Sequence, residues 1–278
     1  MSKSKKIRNP VISGSYYPSE KKELEAYLKV LFEKHFLPKI GSPFALIAPA
    51  ETYTYTGELY ANAYSQIMDE QIDTVIIISP KHKLAFQGIA LSDSDAFSTP
   101  MGEIAVDAES SKYLNKFNPE FIIFEDKHHE NEHSIEAQLP FIQHVLGNNV
   151  KILPVIIGET NTKFTIMLAN ALNSLINKSK KRFLIVIATN LSASLKYEIA
   201  KAKDEKFMQI LLNLNADYLA EQLALGEIQA FGGGGIIALL RLMETLEIKN
   251  IRVLKAFNSG DLNNEKNKVD GYFSAIAW

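Results

Sequence analysis

The sequence contains no cysteine in 278 residues. That excludes disulfides, thiolate metal sites and cysteine nucleophiles. It also lacks an excess of either charge: 30 Lys and Arg against 32 Asp and Glu leave a formal net charge of −2. Such a balance gives no electrostatic reason to bind nucleic acid or an anionic membrane. The one basic cluster, Lys3, Lys5, Lys6 and Arg8, reads as a solvated tail, with residues 1–7 expected to be flexible. No apolar run reaches the roughly 18 residues of a membrane span. The opening MSKSKKIRNP lacks the apolar stretch of a signal peptide. The expectation is a cytoplasmic protein without a membrane or nucleic-acid partner. What is present is an ordinary globular mixture, 46% hydrophobic and 22% charged. That supplies a large core for a single domain over residues 1–278.

Short continuous apolar runs stand out at 44–48 (FALIA), 74–79 (TVIIIS), 150–157 (VKILPVII) and 183–188 (FLIVIA). Runs of this kind suit strands buried on both faces of a parallel sheet. Helical spacing appears after Ser19, an expected N-cap, and over 57–69, 133–146, 162–177, 200–224 and 233–247. Two shorter strands are expected around Ile89–Leu91 and Glu103–Val106, with two more at 251–257 and 271–277. Strands alternating with helices predict one three-layer α/β domain with a mostly parallel or mixed central sheet.

Ligands of open α/β sheets bind beyond the carboxyl ends of the strands. The segments to inspect are therefore Pro49–Gly57, Pro80–Lys83 and Thr189–Leu195. His82 follows a strand directly and is a candidate ligand or acid/base group. Tyr53 and Tyr55 would line a cleft or pack on the next helix. Residues His129-Glu130-Asn131-Glu132-His133 match the H-E-x-x-H pattern of zinc hydrolases. That chemistry needs one helix presenting both histidines on one face. Nothing from Glu125 to Glu132 is apolar, so a polar loop capped by Asn131 or Ser134 is the competing reading. Pro140 falls within the following helical pattern and should kink it. A kink there would aim His133 and Glu136 at a pocket, or form a surface bend. Phe231-Gly-Gly-Gly-Gly235 precedes a helix without the Lys-Ser/Thr of a nucleotide loop, which favours a tight connection.

Taken in order, these segments resemble the Memo family, known in bacteria as AmmeMemoRadiSam system protein B, from about Arg8 to Trp278. Ser13-Gly-Ser-Tyr-Tyr-Pro18 is similar to the family's Gly-Ser-Trp-Tyr-Pro. Glu132-His-Ser-Ile-Glu-Ala-Gln-Leu-Pro-Phe141 is close to its Glu-His-Ser-Ile-Glu-Val-Gln-Leu-Pro-Phe. Ser259-Gly-Asp261 and Gly271-Tyr272 also follow the pattern. The resemblance implies a fold like that of class III extradiol (LigB-type) dioxygenases and an association with iron or copper.

Its pocket motifs differ here. The resemblance places Ala50 where the family has His, Asn190 where it has Asp, Ala193 where it has a second His, and Phe231 where it has Cys. Only His82 is retained of those five. A non-haem iron site needs two His and a carboxylate, so no metal and no cofactor is expected. The expected pocket comprises Ala50, Glu51, Tyr53, His82, Glu132, His133, Asn190, Ala193 and Phe231. The expected role is binding an unknown small molecule or protein, as an accessory protein without the family's redox chemistry. The alternative is an enzyme using His82 as acid/base with Glu51 or Glu132 as its carboxylate. In that case Glu51 and His82 should meet. A rebuilt His82–Glu51–Asn190 metal site and a zinc hydrolase at 129–133 are further alternatives.

Overall fold

The computed structural model describes residues 4–82 and 86–278. Met1–Lys3 and Lys83–Ala85 lie outside the described residues, and with them Lys3 of the basic cluster and Lys83 after His82. The strands in chain order are β1 (Ile7–Arg8), β2 (Ala45–Ala48), β3 (Thr74–Pro80), β4 (Ile89–Leu91), β5 (Ala96–Thr99), β6 (Gly102–Ala105), β7 (Ile122–Phe124), β8 (Lys151–Ile157), β9 (Phe183–Ala188), β10 (Ile251–Asn258) and β11 (Gly271–Ala277). The α-helices are α1 (Lys21–His35), α2 (Tyr53–Tyr64), α3 (Ala108–Phe117), α4 (Leu139–Leu146), α5 (Thr162–Lys178), α6 (Tyr197–Leu212), α7 (Ala216–Ala224), α8 (Gly233–Thr245) and α9 (Ser259–Asn263).

Eight strands form the central sheet in the order β10-β11-β2-β9-β3-β8-β4-β7. The inner strands β2, β9, β3 and β8 run parallel. Antiparallel pairings attach β11 to β2 and β4 to β8. Side chains alternate across each strand. Ile76 and Ile78 of β3 therefore pack with helices α5–α8, while Val75 and Ile77 pack with α1, α2 and α4. Both faces are covered, which explains why the inner strands read as unbroken apolar runs. The result is the three-layer α/β arrangement that the pattern of runs predicts. No helix among the described residues is long and apolar enough to cross a membrane.

Several local expectations change. Helix α1 starts at Lys21 with Glu20 at the N-cap, not Ser19. A turn through Pro100-Met101-Gly102 joins β6 to β5, a strand not expected from the sequence, and the pair forms a small sheet with β1. Helix α3 and strand β7 were also unforeseen. The expected helix over 200–224 is two helices. Leu214 has φ +55° between them, and the Asn215 side chain caps α7 by accepting from the Tyr218 N–H. Pro140 does not kink a helix interior. It lies in the first turn of α4, after a short 3₁₀ turn at Glu136–Gln138, where its missing N–H costs little.

The N-terminal segment is tied down from residue 5. Lys5 pairs with Glu103, and Lys6 pairs with Asp93 and Asp126. Arg8 is buried and reaches into the chain around residue 130. Its guanidinium pairs with the fully buried Glu136 carboxylate and donates to the backbone carbonyls of His129 and Glu132. Glu136 also accepts from the N–H groups of Val11 and Ile12 and from the Tyr17 hydroxyl. This clamp fixes both the opening loop and the segment that carries His133. Glu136 therefore points away from the pocket and into the clamp.

Candidate functional site

The loops leaving the carboxyl ends of β2, β3 and β9 meet at one place, as parallel strands require. After β2, the Ala50 N–H donates to Asn190 Oδ1 at 2.9 Å. After β9, Asn190 and Phe231 exchange backbone hydrogen bonds at 3.1 and 2.9 Å. The Thr189 hydroxyl also donates to the Phe231 carbonyl. Asn190 is thus a strut between two loops, its side-chain oxygen already engaged. Gly232 follows with φ +102°. A Cβ there would stand 2.9 Å from the Ala188 carbonyl oxygen. Gly232→Ala should lower stability by about 2 kcal/mol or more, from φ strain plus that contact. Chemical denaturation checks this; an unchanged midpoint would refute it.

Between these loops lies a cavity of about 300 Å³. Its wall includes Ala50, Glu51, His82, His133, Asn190, Ala193 and Phe231, so seven of the nine expected pocket residues face one space. Leu191 and Ser192, from the inspected loop after β9, also line it, and three lining groups from outside the inspected segments were missed: Tyr16, Asp270 and Tyr272. They come from the two ends of the chain and are brought here by the pairing of β11 with β2, the Arg8 clamp, and backbone bonds such as Tyr53 N–H to the Tyr16 carbonyl and Leu191 N–H to the Gly271 carbonyl. The one hint in the sequence was the position of Tyr16 and Tyr272 within family-like motifs.

Tyr53 is corrected from pocket to core. It is 2% exposed, packs on Tyr17, Tyr60 and Phe141, and donates to the Ala137 carbonyl at 2.7 Å. Tyr55, by contrast, is exposed.

Under the cavity sits Glu132, 2% exposed. Its Oε1 lies 2.7 Å from His82 Nδ1 and accepts from the backbone N–H groups of His133 and Ser134 at 2.9 and 3.1 Å. Its Oε2 accepts from the His82 N–H at 3.3 Å. Burial works against ionisation of Glu132, but the His82 contact and the Ser134 N–H outweigh it and hold the carboxyl at about 2. The rings of His82 and His133 are 4.1 Å apart, and Phe231 covers His82 at the same distance. Burial, reinforced by His82, pushes His133 down to about 4. His82 Nδ1 is buried and makes no aligned hydrogen bond, despite its closeness to the carboxylate.

The partner of His82 is therefore Glu132. Glu51 instead accepts from its neighbour's N–H, Thr52, at 2.7 Å. Burial raises the Glu51 carboxyl. It also raises Tyr16 to about 12, with the Glu51 charge adding to the effect. Asn190 Oδ1 and Glu51 Oε1 each accept one backbone N–H, from Ala50 and Thr52. His82, Glu132 and His133 come together, with ligand-competent atoms all within 4.8 Å.

The zinc-hydrolase reading fails on geometry. Residues 129–133 form turns and loop after a short 3₁₀ segment, not one helix. His129 is buried elsewhere, its Nε2 3.2 Å from the Ala90 carbonyl.

A doubly covered, mainly parallel sheet with its polar cavity beyond β2, β3 and β9 defines a three-layer α/β protein whose site is built from loops. Residues 8–276 match the Memo-like protein family, and the chain belongs to it. Curated relatives include a MEMO1 family protein of Thermotoga petrophila, 30% identical over 97% of this chain and 99% of the relative. Another, from Saccharolobus solfataricus, is 30% identical over 96% and 98%. A third, from Thermoplasma volcanium, is 28% identical over 98% of both.

Proposed function

We propose that this Memo-family chain acts by binding a small polar molecule in the cavity beyond β2, β3 and β9, without the family's own set of metal ligands. One observation carries the reading. The cavity of about 300 Å³ joins the rings of Tyr16, Tyr272 and Phe231 to the carboxylates of Glu51 and Asp270. Aromatic faces and carboxylate acceptors together favour a ligand that carries amine or hydroxyl donors. None of the described lining residues is a lysine or arginine that would cancel those charges. The iron or copper that the family resemblance implies does not fit its own positions here. Ala50, Ala193 and Phe231 offer no donor atom in their side chains, and Asn190 Oδ1 is taken by the Ala50 N–H.

The test is a thermal-shift screen with a panel of small amines, amino acids and polyols. Hits should weaken at least tenfold in Glu51→Gln and in Tyr272→Ala, measured by calorimetry. A panel whose hits ignore both changes overturns the reading. A second reading, acid/base chemistry at His82, is favoured by its 2.7 Å contact with Glu132. It uses Glu132, not Glu51, as the carboxylate.

A further inference from the structure

His82 and His133 in the cavity wall, with Glu132 beneath them, are the strongest constellation that binding of an organic ligand leaves unexplained. We propose that His82, Glu132 and His133 form a site for one divalent first-row transition-metal ion, open toward the cavity. The inference rests on the reading of this cavity as the functional site. It differs from the family's pocket set, with which it shares only His82.

Three observations support it. First, the donor set is chemically complete. Two imidazoles and one carboxylate suit zinc, iron or copper, and they leave further positions for water or ligand. Second, His82 Nδ1 is buried without an aligned hydrogen bond, 2.7 Å from Glu132 Oε1. A buried ring nitrogen that lies close to a carboxylate oxygen but off the hydrogen-bond line is incompletely satisfied unless something else binds it. Ligand atoms bound to one ion at about 2.0–2.2 Å stand roughly 3–4 Å apart, close together without pointing at one another. The three donors, all within 4.8 Å of one another, approach that arrangement.

Third, the donors are held by outer partners. Backbone N–H groups of His133 and Ser134 fix Glu132 Oε1, and the N–H of His82 fixes Oε2. The His133 ring also interacts with the Ala50 backbone. Such outer contacts orient metal ligands and sharpen affinity. No ligand needs to be a thiolate, which matters in a chain without cysteine.

The experiment uses the full chain, freed of metal by chelator dialysis, then titrated with Zn²⁺ by calorimetry and with Co²⁺ by visible absorption. Elemental analysis gives the stoichiometry. One ion per chain is expected. His82→Ala and His133→Ala should each weaken Zn²⁺ binding at least tenfold, while Glu51→Gln should change it less than threefold. Circular dichroism checks that each variant is folded. If an alanine variant does not fold, His82→Asn or His133→Asn replaces it. Absence of saturable binding overturns the proposal. So does binding indifferent to His133, or binding lost in Glu51→Gln. Tyr272→Ala, which leaves the trio intact, reports on the cavity separately. A failed zinc titration alongside Tyr272-dependent ligand binding therefore overturns the metal inference alone.

Discussion

Glu136→Ala is expected to destabilise the protein by about 3–5 kcal/mol, the cost of leaving one member of a buried ion pair without its partner. Arg8 would stay buried beside a cavity, and the Val11 and Ile12 N–H groups and the Tyr17 hydroxyl would lose their acceptor. Each orphaned donor adds its own desolvation penalty, so the upper part of that range is the expectation. Glu136→Gln should cost less, because the amide oxygen still accepts two of those bonds. Urea denaturation of both variants gives the comparison. Equal stability of Glu136→Ala and the parent would show that the clamp carries no net energy. The effect should also reach the site. Tyr16 lies 5.3 Å from the His133 ring at the end of the clamped loop, so ligand affinity should fall in any folded Glu136 variant.

Asp204→Asn should have the opposite sign. Asp204 is 6% exposed, and burial raises its carboxyl from 3.8 to about 6. Hydrogen bonds from the Ser192 N–H and hydroxyl, at 3.0 and 3.1 Å, offset that only in part. The raised value means that the folded state favours the protonated acid. The stability this contributes is complete below about 3.8, the unfolded value, and is lost as pH rises through about 6. A shift of about two units corresponds to about 3 kcal/mol, an upper bound. Asparagine keeps an acceptor for the Ser192 N–H and removes the buried charge. The variant should exceed the parent in stability by up to about 3 kcal/mol at pH 8, with the gap closing toward pH 4. The difference between the two unfolding curves across that window isolates this group. A gap independent of pH would refute the assignment.

The central strands were legible because burial on both faces leaves unbroken apolar runs such as Thr74–Ser79 and Phe183–Ala188. Strand β7 is only three residues, and α3 buries little beyond Leu114, so neither leaves a clear period. Pro140 was misread because the helix start was placed too early; once α4 begins at Leu139, the proline fits its first turn. In the site, His82, Glu51 and Asn190 were readable from their place after strands. The pairing of His82 with Glu132 was not, since fifty residues and a different element separate them. By motif alone, His82 is a single surviving donor. Spatial proximity places His133 and Glu132 beside it. Tyr53 shows the converse error, since a tyrosine after a strand can equally be the first core residue of a helix.

The clamp on Arg8 has a bearing on how the protein can be handled. It links residue 8 to residues 129–136, and the cavity draws on residues from Tyr16 to Tyr272. Almost the whole ribbon must thus be synthesised and threaded together before any ligand could be held. Shortening the amino terminus past Arg8, a cut that would look harmless in a flexible leader, would remove a structural bolt from beneath His133.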